Sequence, residues 1–373
     1  MNEKNKLSDY FADIETSKDH NGYFCSVEEA LTVVILGTLC GLRNVNQIHQ
    51  WAVSDMVSEF LLNHFGIKDI PCYYWLLCLL KIIKPSSLNK CLENWVQSFL
   101  PDGVNGLTLS FDGKTVRSTA KMDKYDKPLH IISAHIAELG VTLASKKVDD
   151  KSNEIPAMRE LIELLDVEGC IIVADALHCQ KETANIIVKN KADYLLNVKS
   201  NHLTLKEDIE DYIQSDELRN NLDTAETLEQ NSGRIERRTS FVCHDIEWFT
   251  GWAGLACIGA IHTQFTCKGQ TTSTWNYYIS SRTLSAKQLL KHARMEWAVE
   301  SMHWLLDVHF AEDSCRIEDE QVQQVLNTVR KVALNTVKLY KHESKSKLPL
   351  SKIMFASLLN CQNLLNVLNF SQN

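Results

Sequence analysis

The sequence predicts an α/β protein: a mixed sheet with a β-rich insertion, preceded by a helical N-terminal domain. Three observations carry this. Apolar residues recur every three or four positions through the first hundred residues. Strand-like and helical segments then alternate between residues 107 and 200, and a β-type stretch from about 205 to 280 separates them from a helical C-terminal part.

In the first region, Ser26, Asn44, Ser54 and Ser86 are helix-start candidates. Ser26 and Glu29 have capping-box spacing, and Gly41 can stop the helix they open. Its apolar run "ALTVVILGTLC" (30–40) is about half the ~20 residues a membrane span needs, so it reads as a core helix. "LPDGVNG" (100–106), with Pro101, Gly103 and Gly106, is a linker, which bounds a helical domain over 1–103. A second domain follows over 104–340, with the insertion at about 205–280, and a helical tail over 341–373.

"LTLSFDG" (107–113) alternates, with Leu107, Leu109 and Phe111 on one face and Thr108, Ser110 and Asp112 on the other, and is a strand. "HIISAHIAELGVTLASKKV" (130–148) holds two strand-like runs around Gly140, a hairpin. "EIPAMRELIELLD" (154–166) is helical, "CIIVADA" (170–176) is a strand apolar on both faces, "QKETANIIVKNKA" (180–192) is helical and "DYLLNVKS" (193–200) is a strand. "RRTSFVCHDIEWF" and "WNYYISS" supply the β-type runs of the insertion, and helices resume at about 284.

With 373 residues, 45% of them hydrophobic, the chain can bury a sizeable core in two or three structural units. Its twelve cysteines form no C-x-x-C pair, and no basic-then-apolar leader is present, which leads to the expectation of a reduced, cytoplasmic, non-membrane protein. A net charge of −8 provides no global basic field and counts against a simple DNA-coating role, leaving local patches open.

On one continuous helix over 294–308, "RMEWAVESMHWLLDV", Glu296, Glu300, His303 and Asp307 share a stripe roughly 60° wide. Met295, Val299, Met302 and Leu306 flank it on one side, and Trp297, Trp304 and Val308 on the other. Carboxylates crowded in such a stripe need protonation, a paired cation or a metal; neutralisation by Arg or Lys from elsewhere is the plain alternative. Asp112 and Asp175 both close predicted strands, where sites form in α/β sheets. Two strand-end aspartates and a helical carboxylate would make an oxygen-ligand site suited to Mg²⁺ or Mn²⁺.

"FDGKTVR" (111–117), "ADALHCQKETA" (174–184), "DYLLNVKSN" (193–201), "SGRIERR" (232–238) and "MEWAVESMHWLLDVHFAED" (295–313) together resemble the ISAs-type, or H-repeat-associated, branch of the DDE insertion-sequence transposases. The resemblance implies a ribonuclease H-like catalytic core with the insertion before its last acidic helix. It also implies that Asp112, Asp175 and Glu300 are the catalytic, metal-binding carboxylates. The implied chemistry is phosphoryl transfer with two Mg²⁺ or Mn²⁺ ions, cutting double-stranded DNA at the element's ends and joining it to target DNA. Two ends must meet, so a homodimer in a synaptic complex is implied, in a cytoplasmic, nucleoid-associated protein.

His178 and His303 each follow a presumed ligand by three residues and can reach a metal or scissile phosphate; a structural role is the alternative. Lys114, Lys199, Arg234, Arg237 and Arg238 are candidate DNA contacts, with surface solvation or ion pairing as the alternative. Asp307 is either an orienter of metal ligands or half of a salt bridge. The segment 330–352, with Glu343 as its only acid, is a candidate phosphate-binding surface. Glu296 stands where relatives usually have histidine, Ser301 where asparagine is usual, and His202 where glutamine is common. Two other readings remain: a catalytically decayed copy that only binds DNA or a partner, and a nuclease of the same fold without strand transfer.

Overall fold

The computed structural model describes residues 7–18, 24–119, 128–149, 152–215, 221–231 and 233–369. The chain divides into two compact units, each assembled from separate stretches. One comprises Met1–Pro101, Gly113–Ser152 and Glu300–Asn373, and the other Asp102–Asp112 and Asn153–Val299.

The first unit opens with helices α1 (Val27–Leu39), α2 (Val45–Ala52), α3 (Asp55–Phe65), α4 (Tyr73–Ile82) and α5 (Pro85–Gln97). The Ser26–Glu29 capping box forms with both reciprocal hydrogen bonds, at 3.1 and 2.7 Å. Asn44 and Ser54 are N-caps as expected. Ser86 is not: α5 begins one residue earlier at Pro85, whose fixed φ and missing N–H suit the first turn.

A long helix, α11 (Glu320–Glu343), packs against α1, α4 and α5 and against strand β3 (Val141–Lys147). β3 forms an antiparallel hairpin with β2 (His130–Ile136), turned at Gly140, whose φ is +67°. Because α11 is surrounded, its polar side chains must find partners inside the unit. Asn335 does so by donating to Thr142 O and accepting from Thr142 N, both at 2.8 Å, as a neighbouring strand would. Arg330 and Lys331 are also buried here, so the basic segment 330–352 is not one exposed surface; its first two cations belong to the core. Helices α12 (Leu350–Leu359) and α13 (Cys361–Leu368) complete the unit.

The second unit contains the parallel core expected of the mixed sheet. β1 (Thr108–Thr115), whose residues to Asp112 lie in this unit, pairs parallel with β4 (Ile171–Ala174), which pairs parallel with β5 (Asp193–Val198). β5 then pairs antiparallel with β9 (Gln270–Ser280), giving a strand order through this unit of β1-β4-β5-β9-β8-β7-β6, with β6 (Asp223–Asn231), β7 (Arg234–Cys243) and β8 (Cys257–Cys267).

α6 (Glu154–Leu164) precedes β4 and α7 (Lys181–Lys189) precedes β5, in the predicted order. α9 (Ala286–Met295) covers one sheet face, burying Leu289, Leu290 and Ala293 against Ile171, Val173 and Tyr278. His292 Nδ1 shares a 2.9 Å hydrogen bond with Thr108 Oγ1 beneath it.

The insertion differs from the sequence reading in one respect. It opens with an α-helix, α8 (Leu203–Gln214), before its four long antiparallel strands. Only Ile209 and Ile213 of "LTLKEDIEDYIQ" are buried, so the apolar periodicity that would have marked it is weak.

Candidate active site

Asp112 and Asp175 come together through the register of the parallel core. Phe111 and Ala174 are the last register partners of β1 and β4, and the two aspartates follow them directly on strands about 4.8 Å apart. β4 ends at Ala174, so Asp175 stands just past its strand, whereas β1 continues through Asp112 to Thr115, beyond the end the sequence suggests. Asp112 is half-buried and Asp175 exposed. Asp175 Oδ1 accepts from Leu177 N at 3.0 Å, capping a short 3₁₀ turn, Ala176–His178, and fixing the carboxylate's orientation. Lys199, the first residue after β5, is exposed at the same end of the third parallel strand.

Glu300 belongs to the other unit, in the first turn of α10 (Ala298–Phe310), and is exposed. The single helix expected over 294–308 is in fact two. α9 ends at Met295, with Glu296 as its C-cap, and Trp297 N bonds back to Arg294 O at 3.4 Å before α10 starts. Glu296 therefore does not share a helix face with Glu300. No proline or glycine marks the break, so nothing in local propensity announces it. Of the two apolar borders expected beside the acidic stripe, Val299, Met302 and Leu306 are buried, while Trp304 and Val308 are exposed. His303 is buried.

Lys114 and Asp307 meet within the first unit. The Lys114 ammonium donates to Asp307 Oδ1 and, at 2.8 Å, to Glu312 Oε2; Asp313 lies 3.8 Å away. Glu312 is fully buried, and Asn327 Nδ2 donates to its Oε1 at 2.7 Å, with the Arg330 guanidinium 3.8 Å from the same oxygen. Burial alone would push the Glu312 carboxyl up; Lys114, Arg330 and Lys331 outweigh it and hold the group at about 2. Burial lowers Lys331 to about 7, despite the opposing pull of Glu312. Sequence reasoning identified Lys114 and Asp307 but missed Glu312, Arg330 and Lys331, which carry no spacing signal relative to either.

Neither His178 ring nitrogen has a hydrogen-bond partner among the described residues, and Nε2 lies 3.5 Å from the Glu154 carboxylate. Arg234 lies over the Phe265 ring at 4.2 Å, and Arg237 Nε is 3.6 Å from Glu226; both arginines are exposed. Arg238 is ion-paired with Glu236 and lies 6.0 Å from the Trp297 ring centroid.

Carboxylate oxygens suit Mg²⁺ and Mn²⁺, and Asp112 and Asp175 supply two such groups directly after the last register partners of β1 and β4. The second oxygen of Asp175 has no recorded hydrogen bond among the described residues. Among those residues no group of three or more His, Cys, Asp or Glu is gathered so as to hold a metal ion. No helix among them is long and apolar enough to cross a membrane.

Residues 106–336, which contain Asp112, Asp175 and Glu300, match the family model described as the transposase DDE domain. The chain is 30% identical over 324 residues to "H repeat-associated putative transposase YhhI" of Escherichia coli K12, covering 83% of this chain and 85% of that protein. It is 31% identical over 327 residues to "Putative transposase YncI" of E. coli O157:H7, covering 84% and 83%. A cryo-EM structure of the piggyBac transposase synaptic complex with hairpin DNA aligns with a TM-score of 0.48 at 10% identity, over 95% of this chain and 76% of that one.

Proposed function

This chain belongs to the DDE transposase family, and we propose that it catalyses divalent-metal-dependent cleavage and strand transfer of DNA at insertion-sequence ends. The observation that carries the reading is the placement of Asp112 and Asp175 directly after register partners on adjacent parallel strands. Together with Glu300 they would hold Mg²⁺ or Mn²⁺. Bound there, the ions would activate the attacking hydroxyl and stabilise the leaving 3′-oxygen.

The chain's own residues supply orientation and charge. Asp175 is fixed by its bond from Leu177 N. Lys199, exposed at the end of β5, neutralises a phosphate of the bound strand. Lys114 stands two residues beyond Asp112, and its bonds to Asp307 and Glu312 stiffen the end of β1 that presents the aspartate. His178, held near Glu154, supports the loop after Asp175, and His303 supports the helix that carries Glu300. Arg234 and Arg237, exposed in the first half of β7, add phosphate contacts. Two copies joined in a synaptic complex would present two DNA ends.

The test is Mg²⁺- or Mn²⁺-dependent processing of DNA carrying the element's own ends, by wild type and Glu300→Gln. Cleavage and end-joining by wild type alone support the reading. Cleavage without joining marks a nuclease. Absence of both, with folded proteins that still bind the ends, marks a decayed DNA-binding copy.

A further inference from the structure

Within the first unit, a cavity of about 780 Å³ opens between the N-terminal end of α2 and the chain linking α10 to α11. Three guanidinium side chains line it: Arg43, Arg316 and Arg330. Arg43 and Arg316 are exposed, and among the described residues neither makes an ion pair; the recorded side-chain bond of Arg43 is a long one, 3.4 Å, to Val308 O. Arg330 is only 4% exposed, and among the described residues its Nη1 has no hydrogen-bond partner, lying 3.8 Å from Glu312. A buried guanidinium nitrogen without a hydrogen bond is costly unless an acceptor arrives from the cavity.

The α2 terminus points the same way. Asn44 takes the N–H of Gln47 as its cap at 2.9 Å, and Gln47 Oε1 takes the N–H of Arg43 at 3.0 Å. The helix ladder provides no acceptor for the N–H groups of Val45 and Asn46, which also line the cavity. Orphan donors at the positive end of a helix dipole, facing arginines, suit an anion with several acceptor oxygens. Tyr73, 45% exposed on α4, adds an aromatic face at the rim on which a sugar or base can rest.

We infer that this cavity is a phosphodiester-binding site for DNA, with Arg43 and Arg316 as its outer clamp and Arg330 as its buried donor. It is a second anchoring point, separate in residues from the proposed catalytic carboxylates. The inference rests on the reading that the chain acts on DNA, and an acidic protein segment is the competing occupant.

The test is binding of fluorescent duplex DNA carrying the element's ends to the full chain across a NaCl series. Wild type is compared with the double variant Arg43→Ala/Arg316→Ala, with melting temperature as the folding control. Both side chains are exposed, so the variant should melt as wild type does. The expected result is affinity weaker by about tenfold or more and a log–log salt slope shallower by about two, one for each contact. If wild type binds DNA and the variant matches its affinity and slope, this site assignment falls while the functional reading stands. If wild type does not bind DNA, both fall, and a peptide rich in Asp and Glu becomes the occupant to examine.

Discussion

Lys114 and Glu312 lie 2.8 Å apart, with the glutamate wholly out of water and the lysine side chain 12% exposed. A buried charge tolerates this only when its remaining hydrogen-bonding capacity is met, and Asn327 and Asp307 meet it. Glu312→Gln keeps the shape and removes the charge, leaving Lys114, Arg330 and Lys331 clustered without their central anion. We expect a loss of about 3–5 kcal/mol in urea-induced unfolding, the range for breaking one side of a buried pair. A loss below 1 kcal/mol would show that the cluster is solvated.

The same cluster sets a pH dependence. Glu312 falls from 4.5 to about 2 on folding, so its contribution is present above pH 4.5 and lost as pH falls towards 2. His135, buried and brought down from 6.5 to about 3 first by desolvation and then by Lys338, His303 and Lys331, adds a loss that begins below pH 6.5. Lys331 is lowered from 10.5 to about 7, so stability rises with pH across that window, where the unfolded chain binds the extra proton. Lys331→Met should flatten the rise between pH 7 and 10.5 in unfolding curves, and His135→Gln should shrink the fall between pH 6.5 and 3.

Asp175→Asn separates fold from chemistry. Asparagine caps as well as aspartate does, so the bond from Leu177 N and the melting temperature should persist. Mn²⁺ affinity, measured by calorimetry, should drop by at least about 100-fold, the upper end for a residue that only supports a metal ligand. Unchanged Mn²⁺ binding would remove Asp175 from the metal site.

Gly259 in β8 is a packing constraint. A Cβ there would stand 2.6 Å from Leu289 Cδ2 and 2.9 Å from the backbone oxygen of Phe241. The leucine can rotate, whereas the carbonyl is held in the β7–β8 ladder. Gly259→Ala should therefore cost about 1–3 kcal/mol by overpacking, read as a lowered urea midpoint with an unchanged slope.

The amino-acid sequence alone determined the order of strands and helices from Thr108 to Val198, the capping box at Ser26 and the hairpin at Gly140. These rest on local chemistry: side-chain periodicity, N-cap hydrogen bonds and a left-handed turn. It also placed Asp175 directly after its strand, whereas Asp112, expected to close its strand, lies within β1, which runs on to Thr115. Tertiary structure decided what local pattern does not encode. It divided 286–310 into α9 and α10, taking Glu296 out of the stripe shared by Glu300 and Asp307. It formed α8 on two buried isoleucines, and it drew Arg330 and Lys331 from an apparent basic surface into the core, where Arg330 lies 3.8 Å from Glu312 and Lys331 donates to Ser133. Such partners are distant in sequence, and a charged residue's burial follows from who pairs with it, which only the folded chain specifies.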